Sequence, residues 1–210
     1  MNTLLHVFEA YTEFYRVTGR QEVADRLKDI IDVFGTKVYN PALHRQEVFF
    51  DNDMNSIIDL HSYGHDIETA WLLDRGIDVL GDPHRKKLMA PIIKDLEDEI
   101  LKVAYSGNSL ANECERGVVN EWRIWWVQAE AVVGFYNAYQ KRPERKEFEE
   151  AASAIWEFIK EHQVDKRAGS EWFYRVDKEG HPDGEKPIVE PWKCPYHNGR
   201  LCMEMIKRLG

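Results

Sequence analysis

The 210-residue sequence predicts an all-α domain, seven helices of a two-layered α/α barrel that these residues alone leave open. Apolar residues recur at three- and four-residue steps, as at Leu4, Leu5, Phe8, Tyr11 and Tyr15. Helix-length stretches come in pairs separated by short breaks, at Gly19, at "GDP" and at "KRP". The pairs also align with one another at a period of about 60 residues, the size of two helices plus a long loop.

Taken in order, an amphipathic helix covers residues 1–18 and stops at Gly19, and "RQEVADRLKDIIDVF" forms its partner. A second pair runs from Gly64 to Leu80 and from His84 to about Tyr105. The third runs from about Glu121 to Gln140 and from Glu144 to His162, and a last helix spans Tyr196 to Leu209. The long loops, 36–63, 106–120 and 163–195, hold strand-like pieces, "EVFF" and "EWFYRV", and the turn signal "HPDG". The first helix of each pair carries Trp, Tyr and His, whereas the second ("RKKLMAPIIKDLEDEI", for example) is charged and plainly amphipathic. This asymmetry predicts inner helices lining a cavity and outer helices facing water. Six such pairs close a ring, so five further helices are expected elsewhere. The first helix begins at once, which leads us to expect something upstream of it.

Composition narrows the function. A hydrophobic share of 43% is that of a globular domain. The formal charge of −9 argues against nucleic acid and anionic membrane as partners. No apolar run reaches membrane-spanning length, and residues 1–20 lack a signal-peptide pattern. Cys114, Cys194 and Cys202 are odd in number and show no Cys-x-x-Cys spacing, so they read as reduced thiols of a cytoplasmic protein. The sequence has no P-loop, no Gly-x-Gly-x-x-Gly and no Gly-x-Ser-x-Gly, and so gives no support for a nucleotide cofactor or a serine nucleophile.

The aligned inner helices place chemistry at repeated positions. His6, His65 and His197 open three of them, each expected in a first helical turn, where the dipole favours a neutral, proton-accepting imidazole. Three residues on come Glu9, Glu68 and Arg200, with Glu130 at the matching place in the remaining inner helix. Glu68 is expected to orient His65 and to pull against the dipole, leaving a ring suited to acid–base work. A single histidine is more often structural than catalytic; three at equivalent places shift the balance. A metal reading would use His61, His65 and Glu68, but His61 falls before the helix, and no His-Glu-x-x-His is present. Six of the seven tryptophans, Trp71, Trp122, Trp125, Trp126, Trp172 and Trp192, lie on inner helices or their loops. Indole faces stack on sugar rings, although core filling is the commoner use of any one Trp.

The segments "SYGHDIETAWLLD" and "EPWKCPYHNGRLC" resemble signature segments of the cellobiose 2-epimerases, within the N-acylglucosamine 2-epimerase superfamily. "IWWVQAEAVVGFYNAYQ" and "MNTLLHVFEAYT" resemble two further ones, so the likeness runs the length of the chain. It implies a closed (α/α)6 barrel of which the seven helices are the sixth to twelfth. It also implies inversion at C2 of the reducing-end glucose of a β-1,4-linked disaccharide, with no cofactor. By resemblance, His65 and His197 form the acid–base pair, His6 is a third pocket histidine, and Asn2 is a pocket asparagine. Glu68, Trp71, Trp126 and Glu130 match residues needed for activity, and Trp192 matches a tryptophan that stacks on sugar. Leu4 and Pro191 depart from the family's usual His and Gln, and a catalytic arginine of the first five helices is absent. Two other readings remain at this stage. One is a non-catalytic sugar-binding or assembly half-barrel, its ring completed by a second copy or by an upstream half. The other is an α/α-toroid hydrolase or lyase, which would want a pair of carboxylates across the scissile bond.

Overall fold

The computed structural model describes residues 1–210 and contains the seven helices: α1 Asn2–Thr18, α2 Gln21–Val33, α3 Tyr63–Leu80, α4 Pro83–Val103, α5 Trp125–Lys141, α6 Lys146–Phe158 and α7 Tyr196–Leu209. Gly19, at φ 63°, and Gly81, at φ 66°, end α1 and α3 in the left-handed conformation that glycine adopts without strain. Asp82 caps α4, its carboxylate accepting from the Arg85 amide at 3.0 Å, and Pro83 fills the first helical position. Helices α2 and α6 each run on into a single π turn, Phe34–Val38 and Ile159–Gln163, which buries Phe34, Val38, Ile159 and Gln163.

The two layers take the expected form. Helices α1, α3, α5 and α7 neighbour one another in sequence order as an inner row, and α2, α4 and α6 back α1, α3 and α5. The row is an open arc of an (α/α)6 barrel. Residues such as Phe8, Ile67, Trp71, Leu73, Phe135 and Phe148 fill the space between rows and are almost wholly buried. Gly134 permits a close approach of α5 to α3: a Cβ there would meet the Ile67 backbone oxygen at 3.0 Å and its side chain closer still. Beneath the arc, Arg142 bonds Glu97 at 2.7 Å and Asp98 at 2.9 Å, tying α4 to the end of α5.

Short strands in the loops fix the starts of the inner helices. Strand β1 (Tyr39–Asn40) pairs with β2 (Arg45–Gln46). Strand β3 (Leu60–Ser62) pairs antiparallel with β4 (Glu113–Glu115), which pairs with β5 (Val118–Asn120). Strand β6 (Arg123–Ile124) pairs with β7 (Arg175–Val176). Because β3 runs straight into α3 and β6 into α5, each sheet sets the first turn of an inner helix. Two expectations shift accordingly. Helix α5 starts at Trp125 rather than near Glu121, since Arg123 and Ile124 are drawn into the sheet. The strands of the 36–63 loop fall on Tyr39–Asn40, Arg45–Gln46 and Leu60–Ser62 rather than on "EVFF", of which only Phe50 forms a bridge, to Ser56.

Candidate active site

The side chains singled out by the repeat converge at the sheet-bearing end of the arc. Arg200, on α7, is the hub. Its Nη1 donates to Glu9 Oε1 at 2.5 Å and to the Tyr196 hydroxyl at 2.6 Å. Its Nη2 reaches Glu68 Oε1 and lies 2.8 Å from Glu130 Oε1. The guanidinium carbon also sits 5.1 Å from the Trp71 ring and 4.6 Å from that of Tyr196. Three carboxylates from three helices thus meet one cation from a fourth, all at matching positions of the repeat. Arg200 is 6% exposed, and Glu68 and Glu130 at most 1%, so water does little to screen the cluster.

That electrostatic arrangement divides the acids. Burial alone would raise the Glu9 carboxyl, but His6, Arg200 and Tyr196 outweigh it and hold it at about 2. Glu68 is pushed up, by burial first and then by the Glu130 charge beside it, against the pull of Arg200. Burial would lift Glu130 too, yet Arg200 and His197 bring it below the ordinary carboxylate range. The side-chain oxygen Glu68 Oε2 has no protein partner, so Glu68 is the member of the pair on which a proton resides more readily.

His197 stands directly on this cluster, with Nδ1 2.7 Å from Glu130 Oε1. The opposite Glu130 oxygen accepts from Trp71 Nε1 at 3.0 Å. An ionised carboxylate only accepts, so Nδ1 of His197 carries a proton and Nε2 keeps its lone pair. His197 is placed by the loop before it: Lys193 and Asn198 both donate to Glu171, pinning the start of α7. Its ring lies 5.5 Å from Trp126 and 6.4 Å from His6. The other face of the site is His65, whose ring centroid is 4.7 Å from Trp126. The order along the wall is therefore His65, Trp126, His197, His6. An open hollow of about 550 Å³ adjoins it, lined by His6, Glu9, Ala10, Glu13, Tyr196 and His197.

Several expectations need correction. Glu68 does not orient His65. It belongs to Arg200 and lies 3.9 Å from His197 Nδ1, because α3 turns the two side chains toward different neighbours. The partner of His65 is Ser62, whose Oγ is 2.6 Å from Nδ1. Asp66 looks away from the site, to His61 Nε2 at 2.9 Å and to Gln46 at 3.0 Å, which also removes His61 from any shared metal with His65. His6 lies one turn into α1 rather than in its first turn, since the helix starts at Asn2. Its Nδ1 is 3.4 Å from Glu9, and that contact raises the imidazole above its ordinary value. Trp71 and Trp125 are core, 0% and 3% exposed, so the indole surplus of the inner layer is partly packing. Trp126 keeps an accessible edge, while Asn2 and Trp192 are exposed, the latter at 83%. Glu68, Glu130 and His197 bring carboxylate and imidazole atoms within 4.8 Å of one another, a spacing that could suit a metal ion. The Arg200 guanidinium already occupies their shared direction, so this donor set does not fit a cation of its own.

Sequence reasoning noticed Arg200 only as a repeat position. The signal was available: a basic residue where three repeats carry an acid predicts a charge-complementary junction. Tyr196, which donates to Glu9 and accepts from Arg200, carried no such signal.

Two local features set further expected results. Gly64 lies against the site, and a Cβ there would fall 2.6 Å from Trp126 Cη2 and 2.8 Å from Val127 Cγ2. Gly64→Ala should therefore cost about 1–3 kcal/mol through overpacking, read as a lower urea midpoint. His65, crowded on most sides, is lowered from 6.5 to about 4, by burial first and then by the cationic forms of His6 and His197. Between those two values the unfolded chain binds a proton that the folded chain does not. This group's contribution to stability is thus present above about 6.5 and is lost as pH falls toward 4. Compared with His65→Gln, the native chain should lose up to about 1.4 kcal/mol per pH unit across that window, measured by urea unfolding at a series of pH values.

An arc of paired helices with histidines, a tryptophan and a buried Arg–carboxylate hub on its inner wall is part of an α/α barrel. Residues 1–198 match the family model described as N-acylglucosamine 2-epimerase (GlcNAc 2-epimerase), and the chain belongs to that family. It is 49% identical over 208 residues to a cellobiose 2-epimerase of Ruminococcus albus, covering 99% of this chain and 53% of that protein. Among solved structures it is similar to a sugar epimerase from a ruminal bacterium, at 48% identity and a TM-score of 0.95. It is likewise similar to cellobiose 2-epimerase from Bacillus thermoamylovorans, at 44% identity and a TM-score of 0.94. Each comparison covers 99% of this chain and 53% of the other. The chain thus spans about half the length of the relatives that it matches. No helix is long and apolar enough to cross a membrane.

Proposed function

We propose that this chain forms the catalytic wall of a carbohydrate 2-epimerase that acts on the reducing-end sugar of β-1,4-linked disaccharides, turning cellobiose into glucosyl-mannose. The observation that carries the reading is His65 and His197 against one tryptophan, Trp126, each with Nδ1 engaged from behind and Nε2 left for the substrate. Once the sugar ring opens, the C2 hydrogen is acidic, because the adjoining aldehyde takes up the charge as an enediolate. One histidine removes that proton from one face, and the other gives a proton to the opposite face of C2. One proton leaves and one returns, so the balance needs no cofactor. Trp126 offers a face for the sugar, Glu130 and Trp71 brace His197, and Glu68 fixes Arg200. His6, Asn2 and Trp192 are assigned to the rim, where they meet the rest of the disaccharide. The names of the relatives support the substrate class, and three unpaired thiols suit the cytoplasm.

The alternative is a half-barrel that binds or assembles without turnover. It is favoured by the exposure of Trp192 and Asn2, which nothing in this chain covers. Apolar side chains also stand exposed along both ends of the arc, Val7, Phe14 and Val17 on α1 and Met203, Ile206 and Leu209 on α7. A second copy or an upstream half would cover them and close the ring. Chromatography of cellobiose after incubation separates the readings: glucosyl-mannose is the expected product, free glucose would mean hydrolysis, and unchanged cellobiose would favour the alternative. Sedimentation should give twice the mass of one chain if a second copy closes the ring, and the mass of one chain if an upstream half does.

A further inference from the structure

Ser62 is the N-cap of α3, a position where a serine side chain ordinarily accepts from a backbone amide of the first turn. Here it makes no capping bond. Its hydroxyl instead lies 2.6 Å from Nδ1 of His65, three residues on. Forgoing a cap costs about 1 kcal/mol, and departures from a local rule of this kind gather at functional sites. Strand β3 holds Ser62 in register opposite Glu113, and Gln46 Nε2 donates to the His65 carbonyl at 3.3 Å, so hydroxyl and ring both sit on a fixed backbone.

We infer that Ser62 is a positioning residue that fixes the tautomer of His65, holding the ring proton on Nε2. The inference rests on the reading of His65 as an acid–base group. Ser62 is 4% exposed, and Nδ1 of His65 is the only protein acceptor within hydrogen-bonding reach of its hydroxyl. A buried hydroxyl proton left without an acceptor costs about 1–3 kcal/mol, so the hydroxyl donates to Nδ1. The neutral ring must then carry its own proton on Nε2. His197 has the opposite arrangement, because the Glu130 carboxylate requires the proton on Nδ1. The two histidines beside Trp126 therefore rest in complementary states, one offering a proton at Nε2 and the other a lone pair.

Nitrogen-15 NMR of the histidine rings near pH 7 tests this without requiring turnover. The His65 signals are assigned by their loss in His65→Gln. In the native chain they should show an unprotonated Nδ1 and a protonated Nε2. Ser62→Ala should release the ring into a mixture of both tautomers, and Ser62→Thr, which keeps the hydroxyl, should restore the native pattern. A protonated Nδ1 in the native chain would overturn the inference, even if Ser62→Ala fails to fold. An unchanged tautomer in a folded Ser62→Ala would overturn it equally. Because the readout is the resting ring, a correct tautomer in a chain that does not exchange C2 would count against the proposed function alone.

Discussion

Replacing Arg200 with methionine should lower folding stability by about 3–5 kcal/mol, the cost of leaving buried charges without their partner. The expectation follows from geometry. Glu68 and Glu130 are essentially without solvent contact, Glu9 is nearby, and the only cation that faces all three is Arg200. Methionine fills a similar volume and so isolates the charge from the packing on Trp71 and Tyr196. A lysine at 200 keeps the charge but not the fork, and should recover part of the loss. Adding Glu68→Gln to Arg200→Met should recover part as well, because one of the stranded carboxyls is then neutral. Urea unfolding of the four chains reads these differences directly. A loss below about 1 kcal/mol for Arg200→Met would mean that the hub is solvated and not a structural centre.

The second large effect concerns turnover. His65→Asn and His197→Asn should each lower proton exchange at C2 of cellobiose by about 10²–10⁴-fold, the ordinary worth of a positioned acid–base group. The pair should be non-additive, since neither face of the sugar is served alone. His84→Asn, an exposed change outside the site, should leave exchange as it was. The urea midpoint of His65→Asn should fall modestly, because the buried Ser62 hydroxyl loses the ring that accepts from it. That of His197→Asn should fall modestly because Glu130 loses a neighbour.

Much of this molecule could be read from its residues. Of the residues spaced at three and four, Leu4, Leu5, Phe8, Tyr11 and Tyr15, Leu5 and Phe8 form the buried stripe of α1, whereas Tyr11 is exposed and Thr12 joins the stripe instead. Gly19 and Gly81 mark helix ends because the chain takes positive φ there, which glycine adopts without strain. The equivalence of Glu9, Glu68, Glu130 and Arg200 was visible as a repeat, and that repeat is what makes them meet in space. What could not be read is direction. Whether Glu68 faces His65 or Arg200 depends on how α3 is rotated in the row, which is set by close approaches such as Gly134 on Ile67. Whether a tryptophan is core or platform depends on the same rotation: Trp71 points into the packed layer, and Trp126 keeps an edge free. Ser62 stood out only as the first residue of "SYGHDIETAWLLD", because a serine before a helix ordinarily caps it.

The central claim is that His65 and His197 exchange a proton at C2. The direct measurement is proton NMR of cellobiose incubated with the native chain in deuterated water, following the C2 hydrogen and the anomeric signals of a mannose end. The account predicts loss of the C2 signal to deuterium together with the appearance of glucosyl-mannose, both abolished in His65→Asn and His197→Asn. A C2 hydrogen that stays fully protonated while the disaccharide is shown to bind would contradict it.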